Sequence, residues 1–339
     1  LFFLGSLAQV HFRAGRSNLK GIPKPDLPRI KEVLKEGGHL MIPLVALVWM
    51  LGSGIPVANT AFYTILITIA VSWLRKSTRM GLKDIITALE EGTRQSLSTI
   101  VACGVVGIII AVVNLTSFGS TLTAAITQVG AGSLFLTLFL TMIASIILGM
   151  GLPSIPAYII TATMAAPALA EFGLPILVAH LFVFYYGIFA NITPPVALAS
   201  FAAAGLSGGN AMRTSFISVR LAIAGFIVPF LFVYQPALLM VDTTNVATNA
   251  VDFPMASIGS IILVSIIAII GIVGLSAAIE GYFSTNLLVV ERIILGAASL
   301  GMIIPETYST IIGTIVVAVI FIINFYKNKK ESNKVIVNI

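Results

Sequence analysis

The groups best able to do chemistry lie in two short segments that interrupt long apolar stretches. The first reads Gly-Met-Gly-Leu-Pro-Ser over residues 149–154. Gly151 tolerates unusual backbone dihedrals and Pro153 lacks an amide donor, so a helix should stop here and a new one should begin at Pro153 or Ser154. Such a break frees carbonyls on one side and presents a helix N-terminus with partial positive charge on the other. The segment is therefore suited to bind a cation and to face an anion.

A second interruption reads Asn-Ile-Thr-Pro-Pro over residues 191–195. Two consecutive prolines cannot continue a helix, while Asn191 and Thr193 add side-chain oxygens to the freed carbonyls. In secondary transporters, broken helices meet near the middle of the bilayer, where carbonyl ends coordinate Na⁺ and half-helix N-termini face an anionic substrate. A plain proline kink is the alternative explanation of either break, but two breaks separated by a helix return favour a binding site.

The stretch between residues 96 and 215 is almost free of charge. Its acidic, basic and histidine side chains are Glu171, His180 and Arg213. Intramembrane enzymes and proton relays need embedded acids, histidines or paired carboxylates, and these are scarce here. A lone histidine lacks a relay partner, so His180 is predicted to be a packed, hydrogen-bonded residue. Anything polar that this stretch moves must be held by backbone and hydroxyl groups.

The elements that position these segments are predicted to be membrane helices. Of the 339 residues, 58% are hydrophobic and only 9% are charged, and the mean hydropathy is +1.06. A soluble domain carries about 25% charged and about 45–50% apolar residues, so the composition excludes an ordinary soluble enzyme and a disordered chain. About eight long apolar stretches indicate an all-α polytopic membrane protein embedded in a lipid bilayer.

The net charge of +6 is explained by where the basic residues lie. They gather at residues 11–36, 75–83 and 327–334, at the ends of apolar stretches, as the positive-inside rule produces. We therefore expect no nucleic-acid partner. The single cysteine, Cys103, excludes an intramolecular disulfide and a cysteine-based metal site, so we expect no transition metal and no cofactor.

The order of the elements follows from the apolar stretches. Residues 1–36 are predicted to be the end of a preceding helix and a cytoplasmic connector, and because the chain begins with Leu we expect more protein upstream, with no signal peptide here. Residues 82–95 have the spacing of an amphipathic helix at the membrane surface, or alternatively of a simple surface connector. The other predicted elements are paired helices at 38–74, a helix at 97–117, a polar loop at 119–131, a hairpin at 133–170, an interrupted run at 174–206, a helix at 214–240, three further membrane helices over 250–326 and a basic cytoplasmic tail at 327–339.

Counting crossings back from the basic tail gives a topology with a cytoplasmic C-terminus. Every basic cluster then falls inside, whether the hairpin at 133–170 enters and leaves on the outer face or crosses the membrane twice. Charge therefore does not distinguish the two arrangements. Each arm is short for a crossing of ~30 Å, which needs about 20 residues, so we expect a re-entrant hairpin.

These segments resemble the large membrane subunit of tripartite ATP-independent periplasmic (TRAP) transporters, most closely the fused permeases of the TAXI subclass. The resemblance covers about residues 11–240, and the region 250–326 fits the additional C-terminal helices of the fused forms with weaker motifs. The stretches that carry it are LGMGLPSIPAYIITATMAAPALAEFGLP at 148–175, AHLFVFYYGIFANITPPVALASFAAAGLSG at 179–208, IVPFLFVYQPALL at 227–239 and the stretch at 82–119.

The resemblance implies a fold and a mechanism. The family has two inverted repeats, each with a re-entrant hairpin and a broken helix, and moves carboxylates by a Na⁺-driven elevator motion. Residues 37–240 would be the second repeat, with 82–95 as an arm helix that braces the hairpin. The first repeat and the small-subunit helices would lie upstream in the same chain.

The resemblance also implies site residues. The hairpin tip and the unwound segment would together bind Na⁺ and face part of the substrate. The implied Na⁺-binding residues are Gly149, Met150, Gly151, Pro153, Ser154, Asn191, Thr193, Pro194 and Pro195. The implied substrate-facing residues are Ser154, Pro156, Thr193 and Val196.

The predicted function is Na⁺-coupled uptake of a small organic anion, a carboxylate, across a bacterial or archaeal inner membrane. A TAXI-type periplasmic solute-binding protein would deliver the anion. One alternative is a Na⁺/dicarboxylate-type symporter that needs no binding protein. A membrane-embedded enzyme is a second alternative, but it would need a cluster of acids or histidines near a membrane face. A scaffold subunit is a third, and the two helix breaks argue against it.

Overall fold

The computed structural model describes residues 1–19, 21–23, 26–243, 254–303 and 306–337, and over these residues it forms helices and no β-strand. Two four-residue 3₁₀ helices cover Gly38–Met41 and Pro236–Leu239. The α-helices are α1 (Phe2–Arg16), α2 (Ile30–Gly37), α3 (Ile42–Gly52), α4 (Val57–Ser72), α5 (Leu82–Thr116), α6 (Phe118–Gly130), α7 (Leu134–Gly149), α8 (Ser154–Met164), α9 (Ala166–Ala170), α10 (Ile176–Phe189), α11 (Leu198–Ser207), α12 (Ala211–Tyr234), α13 (Ile258–Glu280), α14 (Val289–Gly301) and α15 (Thr307–Val337).

Apolar helices dominate the chain, which confirms the prediction of an all-α polytopic membrane protein. Long hydrophobic side chains such as Leu115 and Ile108 lie exposed on the helix surfaces, where lipid would cover them. Among the described residues, five segments are long and apolar enough to cross a bilayer: Ile30–Gly52, Leu82–Thr116, Ala211–Tyr234, Ile258–Glu280 and Tyr308–Lys327.

Residues 20–100 form one compact unit. Within it α3 and α4 pack as a hairpin, and Gly54 at the turn takes a φ of +79° that favours glycine. The segment after α4 folds back on itself, because the Trp73 indole donates a hydrogen bond to the Met80 carbonyl at 2.9 Å. The segment that follows α4 is therefore held by a hydrogen bond within this unit.

Residues 1–19 and 101–339 form the second unit, and α10 lies at the centre of its core. Helix α10 packs against α7, α8 and α12. The buried Tyr186 hydroxyl donates to the Phe226 carbonyl of α12, and the Phe189 ring stacks on the Phe226 ring with centroids 4.4 Å apart. Aromatic packing of this kind fixes α10 against α12.

The last three helices pack together and against α1. Helix α13 contacts both α1 and α14, and α14 contacts α15. The turn between α13 and α14 is held by the buried Asn324 of α15, whose Oδ1 accepts hydrogen bonds from the amides of Ser284 and Thr285, each at 2.9 Å. Because α14 has only 13 residues, it is short for a full crossing.

Two sequence predictions for residues 82–131 are wrong. Residues 82–95 and 97–117 do not form separate helices but one continuous helix, α5. The stretch in which the pattern changes from amphipathic to apolar contains no proline that would end the helix. The Thr93 and Ser96 hydroxyls donate at 2.8 Å to the helix carbonyls four residues earlier. The predicted loop at 119–131 is the helix α6, which lies between Ser117 and Ala131, both left-handed in backbone conformation.

The predicted basic tail is partly helical. Helix α15 continues through Lys327 as far as Val337, and the Lys327 ammonium pairs with the Glu291 carboxylate of α14. Some residues of these predicted segments lie outside the described residues: 338–339 of the tail, 250–253 and 304–305 of the predicted C-terminal region, and 20 and 24–25 of the predicted connector.

Candidate functional site

The first break joins α7 to α8 through a four-residue turn. Helix α7 ends at Gly149, Gly151 takes a φ of +77°, and α8 begins at Ser154 directly after Pro153. The Leu152 amide donates to the Gly149 carbonyl at 3.3 Å and closes the turn. Since a side chain at φ +77° is strained, Gly151 is the residue that lets the chain reverse here.

The second break separates α10 from α11. The chain leaves the helix after Phe189 and re-enters it at Leu198, after a cis peptide bond between Pro194 and Pro195. The Asn191 carbonyl accepts a hydrogen bond from the Ala199 amide at 2.9 Å, which bridges the unwound segment. The interruption is a true unwinding of the helix and not a kink.

The polar side chains of the unwound segment retain free oxygen lone pairs. The Thr193 hydroxyl donates to the Phe189 carbonyl at 2.8 Å, so its oxygen can still accept or ligate. Among the residues that the structure describes, none bonds to the Asn191 side chain. Both residues are half-buried and reachable from the break. These oxygens are neutral, which suits a monovalent cation.

The two breaks touch each other. A Cβ built on Gly151 would lie 3.5 Å from the Val196 side chain, which is ordinary van der Waals contact. One residue before the tip turn, the α7 backbone runs directly against α10, because a Cβ on Gly149 would lie 2.5 Å from the Gly187 carbonyl oxygen. The structure therefore brings the hairpin tip and the unwound segment of the following helix to one place.

The predicted site residues differ in how accessible they are. Gly149 and Pro156 are buried, so the Pro156 ring packs inside the structure. Gly151, Ser154 and Pro195 are exposed, whereas Met150, Pro153, Asn191, Thr193, Pro194 and Val196 are half-buried. Their roles in ion and substrate binding stay predictions.

The prediction for His180 is confirmed. Its Nδ1 lies 2.9 Å from the Tyr158 hydroxyl, which joins α10 to the second arm of the hairpin. Both side chains are half-buried, and their rings meet edge to face with centroids 6.1 Å apart. The histidine is thus a packing and hydrogen-bonding residue between α8 and α10.

Sequence reasoning missed two positions. Gly187, whose backbone faces Gly149, lies in the interior of α10. A glycine there lowers helix stability by about 1 kcal/mol relative to alanine. Such an unfavourable residue within a helical pattern is a sequence signal of close helix contact. Tyr158 carried no sequence signal, because its partner His180 lies 22 residues away.

One comparison with known proteins finds a match. The family described as "Tripartite ATP-independent periplasmic transporter, DctM component" matches residues 1–247. The match includes both breaks and the whole hairpin, and it ends before α13. No curated protein and no solved structure matches the chain.

Proposed function

Because the chain belongs to the DctM-component family of tripartite ATP-independent periplasmic transporters, we propose that it couples Na⁺ to the uptake of a small organic anion. Proteins of this family are membrane permeases of secondary transporters and not enzymes. They work with a periplasmic solute-binding protein and a small membrane subunit. The chain is accordingly a multi-pass inner-membrane protein.

The contact between the two breaks carries this proposal. The tip at Gly151 packs beside Val196, so the two segments that offer oxygen atoms are neighbours in the fold. Carbonyls, the Thr193 hydroxyl and the Asn191 amide oxygen are hard, neutral ligands suited to Na⁺. The N-terminus of α8 at Ser154 carries partial positive charge and is exposed, which suits the carboxylate of a substrate.

The packing of α10 supports an elevator motion in which the hairpin and α10 travel together. The first arm lies against α10 at Gly149, and the second arm is bonded to it through Tyr158 and His180. Because both arms of the hairpin pack against α10, the hairpin and α10 move together more easily than they separate from each other. We propose that its movement alternately exposes the site to the two sides of the membrane.

The finer assignments rest on the sequence resemblance. We propose that the solute-binding protein is of the TAXI type, that the first repeat and the small-subunit helices lie upstream, and that the C-terminus is cytoplasmic. The last point agrees with the gathering of basic residues at 11–36, 75–83 and 327–334.

The test is uptake in proteoliposomes with the complete permease and its binding protein loaded with a labelled organic acid. We expect uptake to need both the binding protein and an inward Na⁺ gradient. Thr193→Ala should raise the Na⁺ half-saturation concentration about tenfold, since one ligand is lost. Thr314→Ala is the matched control, because both hydroxyls donate at 2.8 Å to the carbonyl four residues earlier and both residues are half-buried.

The outcomes separate the competing functions. Na⁺-driven uptake without the binding protein would move the protein to the simpler symporter class. Uptake that follows a proton gradient and ignores Na⁺ would contradict the proposed coupling. An equal effect of both threonine variants would place the Na⁺ site elsewhere.

A further inference from the structure

Two arginines from different helices pair with a carboxylate buried at the end of α13. Glu280, the last residue of that helix, is completely buried. Its carboxylate lies 3.6 Å from Arg13 Nη1 of α1 and 3.3 Å from Arg220 Nε of α12. Helices distant in sequence therefore bring their charges to one point.

Two further arginines bind the final carbonyls of the same helix. Arg16 of α1 donates to the Glu280 carbonyl, and Arg292 of α14 donates at 3.0 Å to each of the carbonyls of residues 278 and 279. The set Arg13, Arg16, Arg220 and Arg292 is called the arginine cluster below. Cations at a helix C-terminus are favourable because the helix dipole is negative there.

The charges of this cluster are not balanced. Four guanidinium groups face one carboxylate and the partial negative charge of a helix end, which amounts to about half an elementary charge. Within the described parts of the chain, no second acid lies within ion-pair distance of these arginines. An excess of more than two positive charges attracts an anion from outside, and the attraction is stronger beside apolar surroundings than in bulk water.

The cluster is open on one side and has donors to spare. The Arg13 and Arg220 side chains are 44% and 41% exposed. Each guanidinium offers five N–H donors, and Arg13, Arg16 and Arg292 use at most two each in the contacts above. Arg220 is more fully engaged, because its Nη2 also donates to the Glu280 carboxylate and to the Ile279 carbonyl, each at 3.4 Å. On the helices that carry these arginines, several hydrophobic side chains within four residues of them are exposed, among them Val10, Phe216, Ile217 and Ile293. An anion bound here would lie next to surface suited to acyl chains.

We propose that the arginine cluster binds the phosphate of an anionic phospholipid. Guanidinium groups pair with phosphate through two parallel hydrogen bonds, and basic pockets between membrane helices recognise anionic headgroups. The neighbouring apolar side chains contact the acyl chains, which a free phosphate lacks. The site joins α1 and α12, which lie within the family match, to α13 and α14, which lie beyond it.

The test uses the complete protein in phosphatidylcholine nanodiscs, titrated with phosphatidylglycerol and, separately, with inorganic phosphate. Lipids retained in native mass spectrometry and the thermal unfolding midpoint are the two readouts. We expect a preference for phosphatidylglycerol over phosphatidylcholine, and R13Q/R16Q should weaken phosphatidylglycerol binding about 30-fold. The matched control R75Q/R79Q removes the same charge from another basic segment and should leave binding within about twofold.

A second variant guards against a simple folding defect. Glu280→Gln removes the opposing negative charge, so it should strengthen phosphatidylglycerol binding about fivefold while it weakens the native packing. Unchanged binding in R13Q/R16Q, or weaker binding in E280Q, would overturn the proposal. Equal stabilisation by inorganic phosphate and by phosphatidylglycerol would identify a free-anion site instead, and no preference in the wild-type protein would exclude both.

Discussion

The close approach of α7 and α10 makes a sharp prediction for Gly149→Ala. The added Cβ would lie 2.5 Å from the Gly187 carbonyl oxygen and 2.9 Å from its Cα, whereas ordinary contacts begin at 3.4 Å. The obstructing atoms belong to a helix backbone and cannot rotate away, so α7 must move by about 0.9 Å. Overpacking of this kind costs about 1–3 kcal/mol of unfolding free energy.

The same contact predicts that the two glycines are not equivalent. A Cβ on Gly187 would meet the Thr161 side chain at 3.4 Å, which is ordinary contact. Alanine in a helix interior gains up to about 1 kcal/mol over glycine, so Gly187→Ala should be neutral or mildly stabilising. Gly259→Ala is the matched control near a helix end, because nothing lies within 4 Å of the added Cβ.

The assay combines thermal unfolding of the purified protein with Na⁺-dependent uptake in proteoliposomes. Gly149→Ala displaces the hairpin tip from the unwound segment, so we expect initial uptake to fall about tenfold, which corresponds to about 1.4 kcal/mol. Gly187→Ala and Gly259→Ala should retain uptake. Wild-type stability in Gly149→Ala, or an equal loss in Gly187→Ala, would refute the geometry on which this reasoning rests.

Two further predictions concern the hairpin. Gly151→Ala forces a side chain into a left-handed backbone conformation and should lower the unfolding free energy by about 1–2 kcal/mol, as should the control Gly132→Ala at φ +79°. Only Gly151→Ala should raise the Na⁺ half-saturation concentration measured in the uptake assay. An equal Na⁺ response of both variants would show that the hairpin tip is not part of the ion site. Tyr158→Phe removes the hydrogen bond to His180 and should lower the unfolding free energy by about 1 kcal/mol, measured by thermal denaturation. The control Tyr308→Phe changes an exposed tyrosine and should have no effect. Full stability of Tyr158→Phe would mean that the bond contributes nothing.

The helix breaks could be predicted from sequence because their causes are local. Pro153 lacks an amide donor and Gly151 accepts a left-handed backbone, so a stop and a restart follow from residue type alone, and the structure begins α8 at Ser154. Asn191 and the two prolines after it predicted the second interruption for the same reason, and the structure leaves the helix after Phe189.

The contacts between elements could not be predicted, because they depend on packing over long sequence separations. That Gly151 lies beside Val196 requires the register of α10 against the hairpin, which no single stretch encodes. The sequence predicts two helices where the structure has the single helix α5, because the hydrophobic pattern changes near Ser96. A change of pattern does not interrupt backbone hydrogen bonding when no proline intervenes.

The buried charge at Glu280 bears on why the chain extends beyond the family match. Arg13 and Arg220 lie within the matched residues 1–247, but the carboxylate that pairs with them comes from α13. Because the Glu280 carboxylate is completely buried, it needs these two arginines to compensate its charge. Without α13 two arginines of the matched region would lose their acid, so the added helices complete the electrostatics of the earlier ones and are not an independent appendage.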